Sequence, residues 1–173
     1  MKKSSALALT LLFFLILFFR IVPHGANLVP TLGLVLLFGW GPRNAKSYGW
    51  PILAILISDL ILGFYPGWWL SYLGYASLVL AGQLSRPGVA GRVLGSLFGG
   101  LGFFFLSNLG VWLYSGLYPP TAIGIVECYT LALPFLGQSL FSILSVVVVA
   151  ELALLAYRSL SKTSLAGWDW NGR

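Results

Sequence analysis

The sequence predicts an all-α, polytopic membrane protein with six transmembrane helices, and three observations carry that prediction. Hydrophobic residues make up 58% of the 173 positions and charged residues 8%, too few to wet the surface of a soluble domain. Six spans of about 20 residues would take about 120, so helices and their shortest connections use nearly the whole chain and leave no room for a soluble catalytic domain. The basic residues fall singly between apolar runs, where lipid and topology account for them. The net charge of +6 and pI of 9.7 therefore point to anionic membrane lipid as the partner, and not to nucleic acid.

The first span is expected over residues 4–22, as a retained signal-anchor helix behind Lys2 and Lys3, with no clear small-x-small cleavage site following it. The second, over 28–41, begins near Pro30 and stops in the breaker cluster Gly39-Trp40-Gly41-Pro42; its short apolar run suggests tilt or an earlier start. The third covers 49–64 with Pro51 in its first turn, and the fourth covers 68–84 behind the interfacial pair Trp68 and Trp69. The fifth, 89–109, carries Gly91, Gly95 and Gly99 at four-residue spacing, a face without Cβ atoms along which a neighbouring helix can approach. The sixth covers 138–157. Between them, 121–135 reads as a re-entrant or surface-lying helix because it holds Glu127 and Pro134 and is short.

With the N-terminus inside, Lys2, Lys3, Arg43, Lys46, Arg86, Arg92, Arg158, Lys162 and Arg173 all fall on the cytoplasmic side and Arg20 alone outside. A seventh span would move Arg158, Lys162 and Arg173 outward, so the even count with both termini cytoplasmic is preferred. The tail from Ser159 to Arg173, with Trp168 and Trp170, is expected against the inner lipid interface.

Polar residues are the informative ones, because each costs free energy to place in hydrocarbon. Asp59 and Arg20 sit at similar depth in different spans, and the pair reads either as a helix fastener or as part of a polar ligand site. Glu151, in the inner half of the sixth span, reads as structural, since the acids and histidines of a proton relay are missing. The outer side gathers His24, Asn27, Arg20, Ser58, Asp59, Asn108, Trp112, Tyr114, Tyr118, Glu127 and Tyr129, whereas the inner halves look nearly devoid of paired polar groups. Aromatic rings flanking a few hydrogen-bonding groups suit a small amphiphilic solute, and an interfacial aromatic belt has the same composition.

Catalysis finds little support. The sole histidine has no second metal ligand near it in sequence, Cys128 is alone and without a base, and neither HExxH nor GxxxxGK[ST] occurs. No enzyme activity and no cofactor are expected.

The ordered segments Arg20-Ile21-Val22-Pro23-His24-Gly25-Ala26-Asn27 with Pro30, Ser58-Asp59 with Gly63, Ser107-Asn108-Leu109-Gly110-Val111-Trp112, and Tyr118-Pro119 through Cys128-Tyr129 to Leu133-Pro134-Phe135 resemble a family of small bacterial membrane proteins of unknown function. Where that family has a more polar stretch with an acid, this chain has Gly137, Gln138 and Ser139. The family in turn resembles the substrate-binding S components of energy-coupling-factor transporters. That resemblance implies a six-helix, S-component-like bundle in the bacterial inner membrane. It would capture a small-molecule or metal-ion solute near the external face, and would work with a coupling membrane protein and ATPase subunits. The expected ligand-binding residues are Asp59, Asn108, Trp112, His24, Asn27, Arg20, Glu127 and Tyr129, with the metal question open. The competing reading is a structural or accessory subunit of a larger membrane complex, packed through the glycine face and without a solute.

Overall fold

The computed structural model describes residues 3–22 and 30–160, with side chains described for 7–22 and 30–157. The chain forms six helices: α1 (Lys3–Ile21), α2 (Thr31–Gly39), α3 (Ala45–Leu62), α4 (Trp68–Leu84), α5 (Val89–Tyr114) and α6 (Ala122–Leu160). Three of them, α3, α5 and α6, are long and apolar enough to cross a membrane. The outside of the bundle is as greasy as its inside, with Leu60, Phe98, Ile123 and Val149 all well exposed. That inverts the rule for water-soluble surfaces and fits a helix bundle solvated by lipid.

α2 is the centre of the bundle. Its nine residues are all buried, and it touches each of the other five helices. At about 1.5 Å per residue it measures about 14 Å, less than half the hydrocarbon thickness. Within the span expected over 28–41 the helix covers Thr31–Gly39 and ends at the Gly39-Trp40-Gly41-Pro42 cluster, as the sequence predicts, while residues 23–29 lie outside the described part. Gly39 and Gly82 let α2 and α4 meet backbone to backbone; a Cβ at Gly82 would stand 3.0 Å from the Gly39 Cα. A helix enclosed on all sides needs an apolar surface all round, and Leu34, Val35, Leu36, Leu37 and Phe38 supply it.

The helices alternate in direction. At one end the last turn of α1 meets the last turn of α3 through Arg20 and Asp59. At the other, Arg43 just before α3 holds the Gln83 carbonyl at the end of α4, while Arg92 near the start of α5 meets Glu151 of α6. α3 begins earlier than expected, capped by Asn44, whose side chain accepts from the Lys46 amide at 3.0 Å. Pro51 consequently sits inside the helix and not in its first turn.

The largest correction concerns 121–135. Those residues are not a separate re-entrant segment: α6 runs unbroken for 39 residues with Pro134 inside it. Proline removes one backbone donor, whereas ending a helix in lipid strands several polar groups at each new terminus, so continuing costs less. The first half of α6 lies antiparallel to the last turns of α5, where the Cys128 thiol approaches the Asn108 carbonyl at 3.6 Å and the Tyr129 hydroxyl donates to the Phe105 carbonyl at 2.7 Å.

Gly91, Gly95 and Gly99 of α5 face its hairpin partner and the turn before it, whereas Gly100 faces Leu140 of α6. A Cβ at Gly99 would lie 3.0 Å from the Ala81 Cβ and 3.1 Å from Leu78, one at Gly95 would land on Ser85, and one at Gly91 would collide with the Arg86 carbonyl. The absent side chains bring α5 against α4 and against the turn joining them.

Candidate functional site

The Arg20 end of the bundle carries a hydrogen-bonded network across three helices. The guanidinium of Arg20 forms an ion pair with Asp59, donates through Nε to Ser58 Oγ at 2.5 Å and through Nη1 to the Tyr75 hydroxyl at 2.8 Å. The second Asp59 oxygen accepts from the Tyr72 hydroxyl at 2.8 Å. Asp59 is 2% exposed, so its charge depends on these partners. α4 presents Tyr72 and Tyr75 three residues apart, which on a helix sets both hydroxyls toward the same neighbouring elements.

Tyr75 is also the point where the network reaches a cavity. A space of about 330 Å³ lies between α4, α5 and α6 beneath the α3–α4 turn, and is lined by Tyr65, Ser71, Tyr75, Phe103, Phe104, Ser107, Asn108, Val111, Phe135 and Ser139. Hydroxyls and one amide supply its polarity, aromatic rings supply its apolar area, and among the described residues no charged side chain lines it. Ser107 and Asn108 bond back to the Phe104 carbonyl, the latter at 2.8 Å through Nδ2. In the α3–α4 turn, desolvation pushes the Tyr65 phenol above the ordinary tyrosine range, against a hydrogen bond with Ser71 that lowers it. Tyr65 therefore faces the cavity as a neutral hydroxyl at physiological pH.

Of the residues singled out in the sequence, Asn108 lines this cavity, and Arg20 and Asp59 stand behind Tyr75. Trp112 does not line it: its indole donates to the Pro119 carbonyl at 3.1 Å and closes the turn between α5 and α6. Glu127 is exposed on α6, and Tyr129 is spent on the Phe105 carbonyl. His24 and Asn27 lie outside the described residues. Tyr65, Ser71, Tyr75 and Ser139 escaped the sequence reading; the signal that could have found them is the recurrence of hydroxyls within otherwise apolar spans, each of which must find a partner.

At the opposite end, the expectation of inner halves without paired polar groups is corrected. Arg92, 6% exposed, forms an ion pair with Glu151, and its guanidinium lies over the Trp40 ring at 4.3 Å. Among the described residues no group of three or more His, Cys, Asp or Glu side chains is arranged to hold a metal ion.

The chain matches the model of a family of unknown function, DUF6580, over residues 1–163, and belongs to that family. Neither a curated protein nor a solved structure matches it.

Proposed function

We propose that this member of the DUF6580 family is a six-span protein of the bacterial cytoplasmic membrane, both termini inside, that binds a small uncharged solute as the capture subunit of a transporter. One observation carries the reading: the cavity of about 330 Å³ whose lining combines three phenylalanines with Tyr65, Tyr75, Asn108 and serine hydroxyls. Rings give a ligand apolar area, and hydroxyls and an amide give it orientation. The Arg20–Asp59 pair nearby is mutually neutralised, since Asp59 is satisfied by Arg20 and Tyr72. A neutral, partly aromatic solute with a few hydrogen-bonding groups suits that lining better than a metal ion. The segregation of Arg20 from Arg43, Lys46, Arg86 and Arg92 supports the topology. Active uptake would need the coupling membrane protein and ATPase subunits that the resemblance implies.

Purification in native lipid followed by mass spectrometry of extracted small molecules identifies the solute, and calorimetry then measures its affinity. Asn108→Ala is expected to weaken binding by roughly 1–3 kcal/mol while helicity stays unchanged. If extracts contain lipid alone and added candidate solutes give no heat with the wild type, the solute reading fails and the accessory-subunit reading replaces it.

A further inference from the structure

A second concave feature lies at the other end of the molecule and on its outside. It is a groove of about 390 Å³ along the seam of α4 and α5, walled by Leu80, Ala81 and Leu84 on one side and by Leu94 and Phe98 on the other, with Arg86 among its lining residues. Leu80, Leu84, Leu94 and Phe98 are all exposed, so the groove opens to the bundle's surroundings. Its walls run for about two helical turns on each helix, roughly 10 Å.

The groove ends at an uncommitted positive charge. Arg20, Arg43 and Arg92 each hold a protein oxygen, whereas among the described residues the Arg86 guanidinium holds none. Arg86 occupies the turn immediately before α5, a helix of 26 residues whose N-cap, Gly88, offers no side-chain cap. The first amides of α5 thus have no partner within the helix, and they carry the positive end of its dipole. A cation and free amides at the end of an apolar trough make an arrangement with two chemical halves.

The geometry points to a binding site for an anionic phospholipid, with one acyl chain along the α4–α5 seam and the phosphate at Arg86 and the first turn of α5. The site is independent of the solute cavity, which shares none of its lining residues. A soluble anion would use the charged half and leave the trough empty; a zwitterionic lipid would fill the trough and bring an ammonium group to a site that already holds a cation. An anionic lipid satisfies both halves.

The test uses the full chain in detergent supplemented with phosphatidylglycerol or phosphatidylcholine of identical acyl chains, read by native mass spectrometry. Phosphatidylglycerol is expected to bind about fivefold more tightly, the factor appropriate to one basic residue near a membrane surface. Arg86→Gln should erase that preference and Arg86→Lys should keep most of it. Arg43→Gln should leave it unchanged, since Arg43 is engaged with the Gln83 carbonyl. Equal losses in Arg86→Gln and Arg43→Gln would reduce the effect to diffuse surface charge and overturn the site, as would a wild type without preference. Loss of the preference in millimolar inorganic phosphate would show a soluble-anion site and overturn the acyl-chain half. A photoactivatable phosphatidylglycerol reads the same question on the wild type alone: labels concentrated in residues 77–98 support the groove, and labels spread evenly over α1, α3 and α6 refute it.

Discussion

At one end of the bundle Arg20 meets Asp59 with Ser58, Tyr72 and Tyr75 arranged around them; at the other Arg92 meets Glu151 with the face of Trp40 against it. Both pairs are buried, and they are supported by different chemistry. The Asp59 carboxylate is held from both of its oxygens and the Arg20 guanidinium donates to three partners, so the pair is one segment of a longer polar chain ending at a cavity wall. The Arg92 pair has one hydrogen bond and an aromatic face, and among the described residues it joins α5 to α6 without reaching a comparable polar space. A buried ion pair can therefore fasten two helices or hold the polar framework of a site, and the number of neutral hydroxyls around it distinguishes the two.

The strongest way to break this contrast is Asp59→Leu. Removing the carboxylate leaves the Arg20 charge and the Tyr72 hydroxyl short of a partner, and thermal unfolding in detergent should show a loss of about 3–5 kcal/mol. Replacing whole pairs sharpens the contrast. Arg92→Met with Glu151→Leu exchanges one pair for apolar volume and is expected to fall within about 1 kcal/mol of wild type, whereas Arg20→Met with Asp59→Leu strands Tyr72 and Tyr75 and should cost about 2 kcal/mol or more. Equal costs for the two double variants would remove the distinction.

Gly95→Leu probes the Arg92 end by steric means. Its side chain would enter the space held by Ser85, and about 1–3 kcal/mol of stability should be lost together with some of the α4–α5 contact, readable by disulfide trapping across that seam. The smallest effect belongs to Glu127→Gln: the carboxylate is exposed, and its loss should change the unfolding midpoint by no more than about 0.5 kcal/mol permits.

The two ends were also unequally legible. Arg20 and Asp59 could be considered together because each is costly in an apolar span and both fall at one depth. Arg92 is already accounted for by the rule that basic residues gather on the cytoplasmic side, so its charge does not by itself ask for a partner. Glu151 is expected to be structural, with a polar group of another helix among its options, and Arg92 is that group. The helices themselves stand out wherever apolar runs are long, as in α5. They are obscured where local breakers compete with the membrane's demand for paired backbone groups: Glu127, Pro134 and the shortness of 121–135 suggest a separate segment in what is one helix. The cavity was harder still, because Tyr75, Ser71 and Ser139 lie on two helices far apart in sequence and none belongs to a motif. Asn108 was legible since a carboxamide in a span is rare enough to ask for a reason.

The enclosure of α2 also fixes an order of events during synthesis. Val146 of α6 fills the notch beside Gly33 of α2, yet the ribosome makes it roughly ten seconds later at typical elongation rates of about 5–20 residues per second. Until then that flank of α2 has lipid tails as its neighbour, as apolar as the side chains that will replace them. The closing step of assembly is an exchange of lipid for protein with little hydrophobic gain, and it must be driven by fit. A valine near the far end of the sequence thus completes the enclosure of a helix made near its beginning.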